Sequence, residues 1–330
     1  MTAPSLVDGF GRLHTDLRVS VIDRCNLRCT YCMPAEGVAW LPKPELLTAD
    51  ELVRVVAIAV SAGVTEVRLT GGEPLLRPDL VEIVGRIHAL ENAPSMSLTT
   101  NGMRLERLAP DLAAAGLRRV NVSLDTLDDE CFFTLTRRTG LEQVIAGVEA
   151  AVAAGLAPVK INAVLMRGVN EEEAPTLLKW ALDTGVEMRF IEQMPLDAQH
   201  AWRRDQMVTT DDVVRSLRRH FTLEPAPHNP HDPAVRHVVD GGPATVGFIS
   251  SVSTPFCGGC DRVRLTADGQ FRNCLFAQVE TDLRTPLRAG ATDDEVLALM
   301  TTSVQAKAAG HGINNPDFLQ PPRPMSAIGG

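Results

Sequence analysis

Six of the seven cysteines in this 330-residue chain fall into two triplets. The first triplet, spaced C-x3-C-x2-C, lies near the N-terminus, and the second, spaced C-x2-C-x13-C, lies near the C-terminus. Each offers three thiolates, one fewer than the four ligands that close a tetrahedral zinc site or a four-iron cluster. A cluster on three cysteines leaves one iron open to a small molecule. The triplets are Cys25, Cys29 and Cys32, and Cys257, Cys260 and Cys274.

Structural zinc is the alternative at both triplets. The first spacing as a whole differs from the paired C-x2-C spacings typical of structural zinc. Zinc ribbons that begin with C-x2-C commonly add a histidine, and no histidine lies between Cys257 and Cys274. The seventh cysteine, Cys131, stands beside two phenylalanines, which is typical of a small buried apolar residue.

A glycine pair follows the second predicted strand, in the motif Gly71-Gly72-Glu73-Pro74. Glycines there let the backbone approach a ligand closely, although a tight turn explains the motif equally well. Tyr31, the single tyrosine, lies inside the first triplet, either by chance or because an aromatic ring packs against the metal or its ligand.

Composition indicates a soluble globular enzyme, with 45% apolar and 22% charged residues. We find no apolar run of about 18 residues and no apolar signal-peptide core, so we expect a cytoplasmic protein. In a reducing compartment, closely spaced cysteines are more often metal ligands than disulfides. The net charge of −9 argues against nucleic-acid and membrane binding.

The elements that must position these groups alternate between strand and helix. The run 48–63 begins with Thr48 and Glu51 in capping-box spacing and ends at Gly63. Repeated β-α order predicts parallel strands with right-handed crossovers. Periodicity alone leaves both a six-unit partial barrel and an open doubly wound sheet. The predicted strands are 18–22, 66–70, 97–100, 119–124, 159–165 and 187–193.

The pattern changes after residue 222. We predict a core domain over 1–222, a connector rich in proline, histidine and glycine over 223–243, and a C-terminal domain over 244–330. The C-terminal domain contains a predicted hairpin that turns at Asp268-Gly269 and a late helix within 292–310. The first triplet directly follows the first strand, at the strand end where barrel and open α/β enzymes place their sites.

The first triplet resembles the signature of the radical S-adenosylmethionine superfamily, C-x3-C-x-aromatic-C, with Tyr31 as the aromatic. The resemblance implies that Cys25, Cys29 and Cys32 hold a 4Fe-4S cluster whose open iron chelates S-adenosylmethionine and whose electron yields a 5′-deoxyadenosyl radical. It also implies an S-adenosylmethionine site, although Met194 taken alone could equally be core. The site residues are Tyr31, Gly72, Ser123 and Met194.

The second triplet narrows the resemblance from the superfamily to one family within it. Its segment FCGGCDRVRLTADGQFRNCLF is similar to the C-terminal signature of the GTP 3′,8-cyclase family of molybdenum-cofactor biosynthesis, and motifs such as RLTGGEPLLR and RFIEQM follow the same order. The resemblance covers essentially the whole chain. It implies a partial (βα)6 TIM-like barrel with a smaller C-terminal α+β extension, a second 4Fe-4S cluster on Cys257, Cys260 and Cys274 that binds the guanine, and conversion of GTP to 3′,8-cyclo-7,8-dihydro-GTP.

The chain contains no Walker-type phosphate loop and no G-x-G-x-x-G, so basic side chains must meet the triphosphate. Arg262 and Arg264 alternate on a strand, point to one face and match the family segment D-R-x-R. The other basic candidates lie in or beside strands, where a charge can also be solvated or paired. The resemblance implies a GTP site of Arg18, Arg68, Thr99, Lys160, Arg189, Arg262, Val263 and Arg264.

The terminal Gly329-Gly330 looks like an ordinary flexible end by composition. In the family, such a tail reaches the active site and is needed for productive hydrogen abstraction, so Gly329 and Gly330 join Arg262 and Arg264 as catalytic candidates. The connector histidines offer an alternative zinc site, although histidines in proline-rich loops are often solvated. They are His228, His231 and His237.

The resemblance also implies partners: the substrate GTP, a flavodoxin or ferredoxin as electron donor, cyclic pyranopterin monophosphate synthase as the enzyme that receives the product, and a second copy of the chain in a homodimer. Two other functions stay open. One is a radical enzyme that modifies a peptide with the help of an auxiliary cluster. The other is a zinc-stabilised binding module without catalysis.

Overall fold

The computed structural model describes residues 5–329, in which twelve strands form one sheet. The strands are β1 (Asp16–Ser20), β2 (Glu66–Thr70), β3 (Ser95–Thr100), β4 (Arg119–Ser123), β5 (Val159–Val164), β6 (Glu187–Ile191), β7 (Leu223–Pro225), β8 (Val235–Val239), β9 (Thr245–Ile249), β10 (Arg262–Leu265), β11 (Gln270–Arg272) and β12 (Thr281–Asp282). The α-helices are α1 (Ala49–Ser61), α2 (Leu80–His88), α3 (Leu105–Ala114), α4 (Asp129–Thr136), α5 (Leu141–Ala153), α6 (Ala174–Thr184), α7 (Thr210–Leu217), α8 (Arg284–Arg288), α9 (Asp293–Gln305) and α10 (Met325–Ile328).

The sheet is a partial barrel. Its strand order is β12-β11-β10-β1-β2-β3-β4-β5-β6-β9-β8-β7, and the eight strands from β10 to β9 run parallel. The outer strands at both edges are antiparallel to their neighbours. The edges β12 and β7 do not pair with each other among the described residues, so the barrel stays open. The predicted partial barrel with a C-terminal α+β extension is therefore confirmed.

Alternation along each strand separates a helix-facing side from an inner side. Leu17 and Val19 on β1, and Val67 and Leu69 on β2, are fully buried in the same apolar cluster as the inner faces of the helices. The residues between them are polar and point to the inside of the barrel. The apolar core therefore lies between the sheet and the helices, and the interior of the barrel is lined by polar side chains.

All six predicted core strands are present, with β1 beginning and ending two residues earlier than predicted. Helix α1 begins with the predicted capping box of Thr48 and Glu51, and the hairpin of β10 and β11 turns at Gly269, whose φ is 80°. The segment 223–243 contains β7 and β8 in addition to its loops, and the C-terminal tail contains α10. The domain boundaries themselves stay a prediction.

Residues 5–329 include no helix that is long and apolar enough to span a bilayer.

Glu192 fastens the barrel to the segment that leads to the second cysteine triplet. Its buried carboxylate follows β6 and accepts hydrogen bonds from the backbone N–H groups of Thr210 (3.0 Å), Val252 (3.0 Å) and Ser253 (2.8 Å). The Ser253 hydroxyl donates a fourth, at 2.6 Å. One side chain thus satisfies donors from two segments that are 40 or more residues apart.

We expect Glu192→Gln to lower the free energy of unfolding by about 2 kcal/mol, because the amide cannot accept from all four donors and buried N–H groups would lose their partners. Urea unfolding followed by circular dichroism measures the effect. Glu149→Gln, on the exposed face of α5, is the control and should change stability by less than about 0.5 kcal/mol. Equal stability of the two variants would contradict this role.

Candidate active site

The first cysteine triplet lies in the loop after β1, at the carboxyl end of the barrel strands. The backbone N–H groups of Cys32 and Met33 both donate to the carbonyl of Cys29, at 2.9 and 3.0 Å, so the loop turns tightly between these cysteines. Across the loop, Arg28 N donates to Thr136 O at 2.9 Å. The end of α4 therefore supports the loop from outside.

Arg137 provides a second support that the sequence did not reveal. It follows α4 in the left-handed conformation, with φ of 54°, which is unfavourable for a residue with a Cβ. From there its guanidinium donates to the carbonyl oxygens of Arg28 (2.9 Å) and Met33 (3.1 Å). The strained backbone thus aims one side chain at both halves of the cysteine loop.

Gly72 packs directly against the same loop. Its N–H donates to Ile22 O, and Glu73 N donates to Arg24 O, both at 2.7 Å. A Cβ on Gly72 would lie 2.3 Å from Asp23 O and 2.4 Å from Arg24 O, well inside van der Waals contact. The glycine is therefore required by the backbone that leads into the triplet, in addition to any contact with a ligand.

Glu73 ties this loop to β3. Its fully buried carboxylate accepts hydrogen bonds from Thr100 Oγ1 (2.6 Å), Asn101 N (2.7 Å) and Leu75 N (2.9 Å). Burial raises the pKa of Glu73 to about 6, although these hydrogen bonds act to lower it. The sequence analysis placed the motif but gave Glu73 no role.

A pocket of about 150 Å³ opens above the first triplet, and all three cysteine side chains line it. Of the residues predicted to bind S-adenosylmethionine, Tyr31, Gly72 and Ser123 line this pocket, and Thr99, predicted to contact GTP, lines it too. Met194 instead lines the second cavity.

Asp125 is a pocket residue that the sequence analysis missed. The Tyr31 hydroxyl donates to Asp125 Oδ2 at 2.7 Å, and Val164 N donates to Oδ1 at 2.8 Å. Burial raises the pKa of Asp125 to about 6. The carboxylate fixes the ring of Tyr31 at the pocket wall, and the one available signal was its place two residues after Ser123.

The second triplet lines a larger cavity, of about 620 Å³. Arg262 and Arg264 extend along its wall from β10, directly after Cys260. Although burial alone raises the pKa of Cys260, the positive charges of Arg262 and Lys307 bring it below the usual value for a thiol. This wall therefore favours a thiolate.

The thiols of the first triplet are protonated in the metal-free site. Burial raises the pKa of Cys25 to about 12 and that of Cys32 to about 11, so metal binding there must displace their protons. All seven cysteines are unpaired. Within residues 5–329 no three His, Cys, Asp or Glu side chains are gathered to hold a single ion. Each triplet instead borders a pocket, and soft thiolates with an open side fit a three-cysteine iron-sulfur cluster.

Six cations line the inner wall of the barrel between the two pockets. Arg264, Arg18 and Arg68 are register partners on the neighbouring strands β10, β1 and β2, and so stand side by side at one strand spacing. Lys160 on β5 and Arg189 on β6 continue the wall, two residues out of register with each other and so on the same face. Together with Arg262, the predicted phosphate-binding residues thus share one surface.

These cations differ in how well they are paired. Glu187 lies 2.7 Å from Arg189 Nε and 3.8 Å from Lys160 Nζ, and Asp261 lies 3.6 Å from Arg262 Nε. Arg18 approaches Asp16 at 3.9 Å, but Arg68 and Arg264 have no carboxylate within 4.0 Å among the described residues. Burial and the adjacent guanidinium of Arg68 lower the pKa of Arg18, and burial lowers the pKa of Arg264 to about 10. Within residues 5–329, the buried Nε atoms of Arg18 and Arg264 and Nη2 of Arg262 have no hydrogen-bond partner. Such a wall attracts an anion with several oxygen acceptors.

The C-terminal tail enters this interior. Arg264 Nη1 donates to Gly329 O at 2.5 Å, and a Cβ on Gly329 would lie 2.5 Å from Thr70 Oγ1 and 3.0 Å from the Cβ of Ser20. Gly329 also has a φ of 88°, so both space and conformation require glycine. The predicted catalytic residue Gly330 lies outside the described residues.

Comparison with known proteins agrees with this geometry. Residues 19–181 match the radical SAM superfamily, and residues 186–313 match the family Molybdenum Cofactor Synthesis C. The GTP 3′,8-cyclase of Streptomyces coelicolor is 60% identical over 98% of this chain and 96% of its own length. GTP 3′,8-cyclase 2 of Mycobacterium tuberculosis H37Rv is 55% identical over 100% of this chain and 93% of its own length.

The chain belongs to the GTP 3′,8-cyclase family. Among solved structures, Streptococcus suis SuiB superposes with a TM-score of 0.61 over 92% of this chain and 69% of that one, at 14% identity. At this identity the likeness concerns the fold alone. It agrees with the open barrel described above.

Val263, Cys131 and the connector histidines line neither pocket. The side chain of Val263 is fully buried in the apolar core, so only its backbone is available to GTP. Cys131 is half-buried beside Val169 O, at 3.8 Å from Sγ. His228 is exposed, His237 packs on an aromatic ring, and His231 hydrogen-bonds to Gly259 O at 3.0 Å. The three histidines do not converge on one metal site.

We expect Gly72→Ala to lower stability by about 3 kcal/mol and to halve the iron content of reconstituted protein, because the added methyl group displaces the backbone before Cys25. Iron analysis and thermal unfolding measure both effects. Gly85→Ala is the matched control, since a Cβ at this position in α2 meets nothing within 4 Å and should be neutral or stabilising. Full iron retention in Gly72→Ala would contradict the steric argument.

Proposed function

We propose that this chain acts as a GTP 3′,8-cyclase in molybdenum-cofactor biosynthesis. It would convert GTP to 3′,8-cyclo-7,8-dihydro-GTP by removal of a hydrogen atom from C3′, attack of that carbon on C8, and addition of one electron, from the external donor, and one proton to the resulting radical. The observation that carries the proposal is the row of incompletely paired cations between two pockets that are each lined by three cysteines. This arrangement fits a triphosphate held between a radical source and a second metal centre.

Cys25, Cys29 and Cys32 would hold the first 4Fe-4S cluster, and Cys257, Cys260 and Cys274 the second. When bound, the first cluster and S-adenosylmethionine supply the radical chemistry, and the second supplies an open iron for guanine. The chain's own residues position and enclose the reactants. Hydrogen transfer is fast only when donor and acceptor are held in near-attack geometry.

Each predicted residue then has a definite task. Tyr31, braced by Asp125, and Gly72 and Ser123 shape the S-adenosylmethionine pocket. Met194, which lines the cavity of the second triplet, stays a proposed S-adenosylmethionine contact, and Thr99, which lines the first pocket, stays a proposed GTP contact.

The triphosphate would lie against the cationic wall. Arg262 and Arg264 connect that wall to the second cluster because they follow Cys260 on β10, and the backbone of Val263 lies between them. Gly329 lies on Arg264, and we infer that the Gly329-Gly330 tail helps to close the site over GTP. The wall is completed by Arg18, Arg68, Lys160 and Arg189.

The proposed reaction also implies partner proteins. The enzyme needs a one-electron donor such as flavodoxin or ferredoxin, and its product needs an enzyme that rearranges it, cyclic pyranopterin monophosphate synthase. We place the reaction in the cytoplasm, where oxygen-sensitive clusters persist, and include a homodimer as part of the proposal.

Anaerobic reconstitution followed by an assay tests the function. We expect about eight irons per chain and, with GTP deuterated at C3′, one deuterium transferred into 5′-deoxyadenosine together with a cyclised nucleotide. About four irons per chain without GTP turnover, or 5′-deoxyadenosine without deuterium, would contradict the proposal and favour a radical enzyme with another substrate, such as a peptide.

The cationic wall predicts a pH dependence of GTP binding. Burial and the charge of Arg189 lower the pKa of Lys160 to about 8, so the ammonium loses its proton as the pH rises through this value. Because the protonated form attracts phosphate, we expect the Kd for GTP to rise several-fold between pH 7 and pH 9. Anaerobic calorimetry measures it.

Lys160→Arg stays charged throughout this range and should flatten the dependence. Lys179→Arg, on the exposed surface of α6, is the control and should keep the wild-type slope. The same slope in Lys160→Arg and in the wild type would contradict the role of Lys160.

A further inference from the structure

Lys307 is a buried lysine in the wall of the second cavity, just beyond α9. Its Nζ lies 3.7 Å from Cys260 Sγ, donates to Arg262 O at 2.8 Å and lies 3.3 Å from His14 Nδ1. An ammonium has three N–H groups, and here each has one acceptor. The side chain is therefore fixed in position, with one donor aimed at a cysteine of the second triplet.

An anchor from the N-terminal segment holds Lys307 in place. His14 is fully buried, and because its Nδ1 accepts from the ammonium, its Nε2 carries the hydrogen that it donates to Asp8 Oδ2, at 3.1 Å. Asp8 is in turn held by Arg12 Nε at 2.6 Å and by the backbone N–H of Phe10 at 2.9 Å. A continuous buried chain thus runs from Asp8 to Cys260.

Arg12 connects the same anchor to both sides of the cavity. Its guanidinium donates to Cys257 O at 2.7 Å, to Ala309 O at 2.9 Å and to Ala308 O at 2.8 Å. The carbonyls belong to the second triplet and to the chain just after Lys307. The N-terminal segment therefore fixes the lysine and a cluster cysteine relative to each other.

Burying an ammonium is unfavourable unless an anion or several good acceptors repay its lost hydration. Lys307 has two neutral acceptors and a thiol sulfur, and the same cavity wall carries the cations Arg12, Arg262 and Arg264. A thiolate-bound iron-sulfur cluster carries the negative charge that this position lacks. Hydrogen bonds to cluster sulfurs and nearby positive charge also favour the reduced cluster.

We propose that Lys307, held by His14 and Asp8, is a positioning residue of the second cluster, which donates a hydrogen bond to the Cys260 thiolate and raises the reduction potential of that cluster. The inference rests on the two-cluster function proposed above. It assigns a role to the N-terminal segment, whose residues lie about 240 positions from the cluster that they support.

The test uses the full chain with Cys25, Cys29 and Cys32 replaced by alanine, so that only the second cluster contributes to the spectrum. Lys307→Met keeps the length of the side chain and removes the donors and the charge, whereas Lys307→Arg keeps both. Lys179→Met, which removes an exposed lysine from α6, is the matched control. Iron content and an EPR-monitored redox titration with dithionite are measured for each protein.

We expect Lys307→Met to shift the midpoint potential to a more negative value and Lys307→Arg to lie closer to the parent protein, with Lys179→Met unchanged. His14→Phe removes the anchor and should shift the potential in the same direction as Lys307→Met, by less. If Lys307→Met loses its iron, iron retention by Lys307→Arg also supports the proposal.

An unchanged potential in Lys307→Met, or equal loss of iron from the Met and Arg variants, would overturn this inference. The failure of the proposed function has a different signature. In that case the parent protein, with its second triplet intact, would itself bind no four-iron cluster.

Discussion

The repulsion among buried cations inside the barrel is the constraint on which the rest of the structure depends. Arg264, Arg18 and Arg68 stand beside one another on three adjacent strands, where hydrogen-bonded register prevents them from moving apart. Carboxylates such as Asp16 offset only part of this charge. Because a buried cation without a partner is unfavourable, a bound polyanion would stabilise the interior. Strand register thus sets both the free-energy cost of burying these cations and the specificity of the site for an anion.

The two metal-binding regions come together because β10 joins the barrel beside β1, although the strands are more than 240 residues apart. Because the two strands are parallel, Cys260, which precedes β10, lies at the amino end of the strands, and the first cysteine loop, which follows β1, lies at their carboxyl end. The Arg262–Arg264 pair lies on β10 between these two ends. Supports around the site come from remote segments as well, including Arg137 for the first loop and Glu192 for the C-terminal segment. The candidate ligands of each triplet are close together in the sequence, but the residues that position them lie far away along the chain.

Local signals in the sequence were sufficient for the strands and for the capping box of α1, and they singled out the six cysteines as candidate ligands. Family resemblance brought the cationic residues together, since a single arginine in a strand pattern carries no sign that it faces inward. Asp125 and Lys307 act through tertiary neighbours and have no motif of their own. Met194, predicted to contact S-adenosylmethionine, lines the cavity of the second triplet, and its role stays a prediction.

The central claim is that two three-cysteine clusters face one cationic chamber. Anomalous diffraction at the iron edge from anaerobically grown crystals with GTP tests it most directly. The account predicts two iron-cluster peaks, one bounded by Cys25, Cys29 and Cys32 and the other by the second triplet, with the triphosphate between them against the arginines. A zinc signal at either triplet, or two clusters opening onto separate surfaces with the triphosphate elsewhere, would contradict it.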